Sequence, residues 1–145
     1  MGTIMEFATE KQIASFLSTC RIEGQKNFLM AFKKKTWLKS FIDFFIVGGS
    51  YYVQSSVKPK ILAFTPKEIY LMDVSDVTEN RFNQVLEMPW NQVKDFTYKL
   101  VLNTVRLSWN YQNEAYIFSV DVGQVSQRVG QYQFNKEHYD YLVQQ

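Results

Sequence analysis

The stretch VRLSWNYQNEAYIFSVDV, residues 105–122, decides how the chain folds. Val105, Leu107, Trp109 and Tyr111 alternate with Arg106, Ser108 and Asn110. After a polar turn over Gln112–Glu114, Tyr116, Phe118, Val120 and Val122 alternate with Ile117, Ser119 and Asp121. A strand turns successive side chains to opposite faces, so each run has one apolar and one polar face. Two such runs joined by a short turn predict an antiparallel hairpin with one face buried. Trp109 and Phe118 are expected in that buried face.

Upstream of the hairpin the chain also reads as strands. Val93–Leu100 carries Phe96 and Tyr98, and Phe82–Met88 is a strand ended by Pro89. Ser75–Arg81 is rich in turn formers and reads as a polar loop. In Glu68–Val74, Ile69 and Leu71 alternate with Tyr70, Met72 and Val74. Pro66-Lys67 presets a tight turn back to an apolar strand at Lys60–Thr65, and Tyr51–Val53 is a short strand. Phe28, Met30 and Phe32 alternate with Leu29, Ala31 and Lys33, a buried strand that Lys33-Lys34-Lys35 ends. Trp37–Val47 has two readings: Trp37, Phe41, Phe44 and Phe45 keep helical spacing, and the same run suits a fully buried strand. Gly48 and Gly49 end it either way.

A helix is predicted at each end. Thr9 and Gln12 form a capping box, and Ile13, Phe16, Leu17 and Cys20 follow as one apolar stripe that Gly24 stops. At the other end, beyond a Gln-rich connection over Gly123–Gln133, Asn135 is read as the N-cap, with Phe134 and Tyr139 as a hydrophobic staple. Tyr139, Leu142 and Val143 form that helix's apolar face, while Lys136, Glu137 and Asp140 face water. Helix, about seven antiparallel strands, helix is an α+β order, mainly antiparallel β, built as a barrel or two packed sheets.

At 145 residues, 46% hydrophobic and 21% charged, the chain is sized for one domain with a real core. A net charge of only +2 gives no field that calls for nucleic acid. One Cys and one His exclude a disulfide framework and a Cys/His zinc site within one chain. The N-terminus has no basic stretch followed by an apolar core, and the longest apolar run, Trp37–Val47, is broken by Lys39 and Asp43. A bilayer span needs roughly 20 apolar residues, so a cytoplasmic chain without a membrane helix is expected.

Two segments carry a family resemblance. ILAFTPKEIYLMDV, residues 61–74, resembles the hairpin of bacterial pleckstrin-homology-like (PH-like) domains, where a strand ends in Thr, turns, and restarts with a basic residue and aliphatics. EMPWNQVKDFTYKL, residues 87–100, resembles that family's next element, where a strand ends in a Pro-aromatic pair and an aliphatic residue starts the next strand. The hairpin 105–122 and the helix from Asn135 fall in the family's order, so the likeness spans residues 26–145 and leaves 1–25 as an N-terminal helical extension. Pro66-Lys67-Glu68 departs from the pattern, since the family more often has a polar turn followed by Arg. The resemblance implies a seven-stranded, partly open barrel capped by the C-terminal helix, with the N-terminal helix as an addition. It also implies a binding or scaffolding role, although a fold does not name a ligand.

The residues offer little chemistry to set against that. His138 has no nucleophile motif to serve and reads as a surface or partly packed helix residue. Cys20 lies on the first helix's apolar stripe and reads as a small core hydrophobe. The carboxylate pairs Glu68 with Asp73, and Asp73 with Asp76, read as solvated loop and strand-edge charges, and no phosphate loop or paired-His motif is present. One basic and aromatic segment stands out: Lys33, Lys34, Lys35, Trp37 and Lys39. It suits an anionic membrane surface, and it equally suits a solvated strand end guarded against edge pairing. The expectation is therefore a non-catalytic module, without cofactor or metal, that binds a protein partner or itself. The alternative is a peripheral module that uses Lys33–Lys39 at an anionic membrane, and a small enzyme comes third.

Overall fold

The computed structural model describes residues 8–34, 59–123 and 133–144. Helix α1 (Glu10–Thr19) precedes β1 (Phe28–Lys34), and β2 (Pro59–Phe64), β3 (Glu68–Asp73), the short α2 (Val74–Thr78), β4 (Leu86–Pro89), β5 (Val93–Val101), β6 (Thr104–Tyr111), β7 (Glu114–Asp121) and α3 (Gln133–Val143) follow. The seven strands form one antiparallel sheet in the order β4-β3-β2-β1-β7-β6-β5. β4 and β5 end that order and do not pair with each other, so the sheet is not closed.

β1 stands in the middle of the sheet, and its alternation serves two cores. Phe28 and Met30 face one side, where Ile13, Phe16 and Leu17 of α1, Ile61 and Ala63 of β2, Val74 and Val77 of α2, and Phe134 of α3 are buried with them. Leu29 and Ala31 face the other, with Leu62, Ile69, Met88 and the apolar residues of β6 and β7. A strand with both faces covered reads as a near-continuous apolar run, which is why FLMAF keeps no polar face. The antiparallel hairpin expected over 105–122 forms; Glu114 already pairs with Tyr111, Trp109 lies opposite Tyr116 and Leu107 opposite Phe118. Trp109 stacks on Phe118 at 5.3 Å between ring centroids, and both are buried.

Four local expectations need correction. First, α1 is capped by Thr9 and Gln12 as read, but Gly24 does not end it. The chain leaves the helix at Arg21, in a left-handed conformation (φ 61°), with the Ile22 N–H bonded to Leu17 O at 2.8 Å. Gly24 has another task, since a Cβ there would stand 2.6 Å from Leu17 Cδ1. Cys20 is the C-cap residue, partly buried against the first core, and burial pushes its thiol up.

Second, the polar loop after β3 begins with a helical turn. Val74 and Val77, three apart, anchor α2 in the core, and the buried Asp76 accepts the Asp73 N–H at 3.1 Å. Asp76 is therefore not a solvated charge, and Asp73 bonds Lys60 across the sheet. Third, β4 starts only at Leu86. Phe82–Gln84 is a 3-10 turn that lets Phe82 stack on Phe16 at 5.0 Å.

The fourth correction concerns α3, which starts at Gln133, so Asn135 is no cap. Among the described residues β1 pairs with β7 over Phe32–Lys34, and from Phe32 back toward Phe28 the two strands part. The Asn135 amide enters the gap: its Oδ1 accepts the Met30 N–H at 2.9 Å, and its Nδ2 donates to Met30 O at 3.0 Å and Asp121 O at 3.1 Å. The fully buried side of α3 is thus Phe134, Asn135 and His138, whereas Tyr139 and Leu142 are half-buried and Val143 is exposed. No helix among the described residues is long and apolar enough to cross a membrane. The segment Trp37–Val47 and the short strand Tyr51–Val53 lie outside the described residues.

Candidate functional site

A cleft of about 450 Å³ lies between the C-terminal half of α3, the β2–β3 turn and the inner face of β5 and β6. Its floor is aromatic and rigidly held. Thr65 closes the β2–β3 turn, with its N–H on Glu68 O at 3.0 Å and its Oγ1 accepting the Glu68 N–H at 3.1 Å. The Thr65 carbonyl then accepts the Trp90 indole N–H at 2.7 Å. Pro89 leads the chain into that position, and the Trp90 ring meets Phe96 edge-on at 5.1 Å and lies along Phe64 at 6.5 Å. Asn27 at the rim is spent on structure, donating to Glu23 O and Phe64 O at 2.6 and 3.0 Å.

β5 supplies the open wall. Tyr98 pairs with Leu107 and Leu100 with Val105, so Tyr98 and Leu100 share the face of two core residues. They are nonetheless 53% and 50% exposed, because β5 is the last strand and nothing among the described residues covers it there. Across the cleft, Tyr139 and Leu142 are half-buried and Tyr141 and Val143 are exposed. Burial, and then the nearby Tyr98, pushes the Tyr139 hydroxyl up. The outer backbone edge of β5 has no strand partner among the described residues, and a bulge between Lys94 and Thr97, with Asp95 at φ 57°, separates its first residues from the regular run Thr97–Val101. An exposed edge beside apolar side chains is a template for another extended segment.

The basic segment read from the sequence is not assembled here. Lys33 is exposed, with its ammonium 5.0 Å from the centre of the Tyr116 ring, a cation–π contact. Lys34 is the last residue of β1, and Lys35, Trp37 and Lys39 lie outside the described residues.

His138 is the largest departure from expectation, since it is 0% exposed. Its ring packs edge-on against Phe28 at 4.6 Å and beside Phe134 at 5.0 Å. Nδ1 lies 2.7 Å from Phe28 O and Nε2 3.0 Å from Glu10 Oε2. A carbonyl oxygen only accepts, so Nδ1 donates to Phe28 O, and Nε2 faces the Glu10 carboxylate. Both nitrogens are held by structural partners, which leaves neither for a general base. The carboxylate Glu68 is likewise engaged, accepting the Tyr70 hydroxyl at 2.9 Å. Among the described residues no group of three His, Cys, Asp or Glu side chains could hold a metal ion.

Sequence reasoning missed the cleft because it assigned Tyr139, Leu142 and Val143 wholly to the core and gave β5 no exposed apolar side chains. The signal was present in KLVLN, residues 99–103, which stays apolar into a turn where polar residues are usual. No family model matches the chain, and no curated protein matches it.

Proposed function

We propose that this chain is a non-catalytic PH-like binding module that holds an extended segment of a protein partner against β5. One observation carries the reading: among the described residues the regular part of β5 leaves its backbone edge unpaired, while Tyr98 on the inner face of the same strand lines an open aromatic cleft and Leu100 follows it on that face. An added strand would take its main-chain hydrogen bonds from that edge and turn alternate side chains toward α3. The occupant is thus an extended peptide with apolar residues at alternate positions. Seven antiparallel strands with the first in the middle, and a C-terminal helix packed at one end, support the PH-like reading.

The test is amide NMR on the labelled full chain, titrated with peptides selected from a random library. Binders are expected to have alternating apolar residues, to shift the amides of Thr97–Val101, and to fail when N-methylated at alternate positions. Tyr98→Ser and Tyr141→Ser, both at exposed sites, should weaken them about ten-fold while leaving the fold intact. Binders that map away from β5, or a library that yields none, overturn the reading. A concentration-dependent dimer by light scattering, dissolved by Tyr98→Ser, would put a second copy of this chain in the cleft.

A further inference from the structure

The turn that joins β5 to β6 is built against its own stability. It is a two-residue loop, Leu102-Asn103, between the paired residues Val101 and Thr104. Leu102 takes a left-handed backbone (φ 57°) and is 91% exposed. Positive φ at such a turn is the place of Gly, Asn or Asp, because a Cβ there crowds the backbone. A second two-residue hairpin loop, between β6 and β7, uses the polar residues Gln112 and Asn113, at φ 52° and 64°. At Leu102 a branched aliphatic residue takes such a positive φ while nearly all of it stays in water, so little burial offsets the strain.

Its neighbours share that character. Leu100 and Val101 are half-exposed, so three consecutive large aliphatic residues run out to the tip. Two pairs back from the Val101–Thr104 pair at the tip, Lys99 stands directly opposite Arg106. Like charges at opposed positions of a sheet repel, yet neither residue makes an ion pair among the described residues, and both are exposed. A strained, apolar, projecting tip above two like charges that have no ion-pair partner among the described residues is costly twice over.

The geometry points to an anionic lipid surface as the occupant of this tip. Val101 and Leu102 enter the interfacial region, and Lys99 and Arg106 meet the phosphate layer from the two strands behind them. The tip is convex and has no fixed counter-shape, which suits a fluid interface, and the cation pair supplies the complementary charge. This surface is distinct from the predicted Lys33–Lys39 segment and does not rest on peptide binding by the cleft.

The experiment uses the full chain with vesicles of phosphatidylcholine alone and of phosphatidylcholine mixed with phosphatidylglycerol. Co-sedimentation is expected with the mixed vesicles and is expected to fall about ten-fold with the neutral ones. The deciding variant is Leu102→Gly. It removes the aliphatic side chain and relieves the turn, so its melting temperature should equal or exceed that of the unaltered chain while its vesicle binding drops about five-fold. Lys99→Gln with Arg106→Gln should abolish the preference for the anionic vesicles, again without loss of melting temperature. Undiminished binding by Leu102→Gly overturns the proposal. So does an unaltered chain that stays in the supernatant with both vesicle types, which would leave the tip to a protein pocket.

Discussion

Nε2 of His138 lies 3.0 Å from the Glu10 carboxylate, joining the last helix of the chain to the first turn of the first. The two residues are 128 positions apart. With Nδ1 on Phe28 O, the imidazole links α1, β1 and α3 through one buried ring. Its two partners are unequal: Phe28 O is buried, whereas the Glu10 side chain is half-exposed.

That inequality sets the first prediction. His138→Ala removes a packed ring and strands a buried carbonyl, which should cost about 2–4 kcal/mol. Glu10→Ala loses a partly solvated contact and should cost only about 0.5–1 kcal/mol. In the His138→Ala background the Glu10 change should cost almost nothing. Urea unfolding of the four chains measures this coupling; an equal Glu10 effect in both backgrounds would show that the pair is not energetically joined.

Asn135 should be less replaceable than its place in a polar-looking helix start implies. Its amide is 1% exposed and satisfies both backbone groups of Met30 and the Asp121 carbonyl. Asn135→Ala leaves these buried groups unpaired, at about 1–3 kcal/mol for each that water cannot reach. Asn135→Asp keeps the acceptor for the Met30 N–H but cannot donate to the two carbonyls, and it places a charge in the core. It should be at least as damaging as alanine in chemical denaturation. A milder effect from Asp than from Ala would show that the two carbonyls do not depend on the amide.

Stability should fall in alkali. Burial pushes the Tyr70 hydroxyl up to about 12, and the hydrogen bond it donates to Glu68 adds to the shift. An unfolded tyrosine loses its proton near pH 10. Above that pH the unfolded chain binds fewer protons than the folded one, so the contribution is complete below about pH 10 and is lost as pH rises toward 12. Urea midpoints measured from pH 9 upward should therefore decline. Tyr70→Phe should lessen the decline without removing it, because burial also raises Tyr116 and Tyr139. An identical slope in the variant would mean that Tyr70 titrates as a free phenol.

The strands were legible wherever one face met water. Period two in β6 and β7 located the hairpin and the burial of Trp109 and Phe118, though not its register. What escaped was everything decided by a distant partner. His138 and Asn135 are polar residues at the start of a helix, and local rules send them to water or to a cap. The structure buries them because β1 leaves Phe28 O and both backbone groups of Met30 to be satisfied from another element. The same limit hid the cleft: α3 turns its polar and aromatic side inward at Phe134–His138, and that rotation leaves Tyr141 and Val143 in the open.

Removing α3 should therefore undo more than a cap. Phe134, Asn135 and His138 all lie on its buried side, and Phe134 and His138 both rest on the Phe28 ring. A chain ending at residue 132 loses one large apolar contact, worth about 1.5–3 kcal/mol. It also strands Met30 N–H, Met30 O and Phe28 O in the middle of the sheet, each costing about 1–3 kcal/mol unless water enters. Water can enter only by opening the first core where β1 and β7 part. The sum approaches the roughly 5–15 kcal/mol that holds a domain of this size. The shortened chain should keep strand signal in far-ultraviolet circular dichroism, lose the near-ultraviolet signal of packed aromatics, and melt without a cooperative transition. A truncated chain that melts cooperatively within a few degrees of the full one would show that the sheet satisfies β1 without α3.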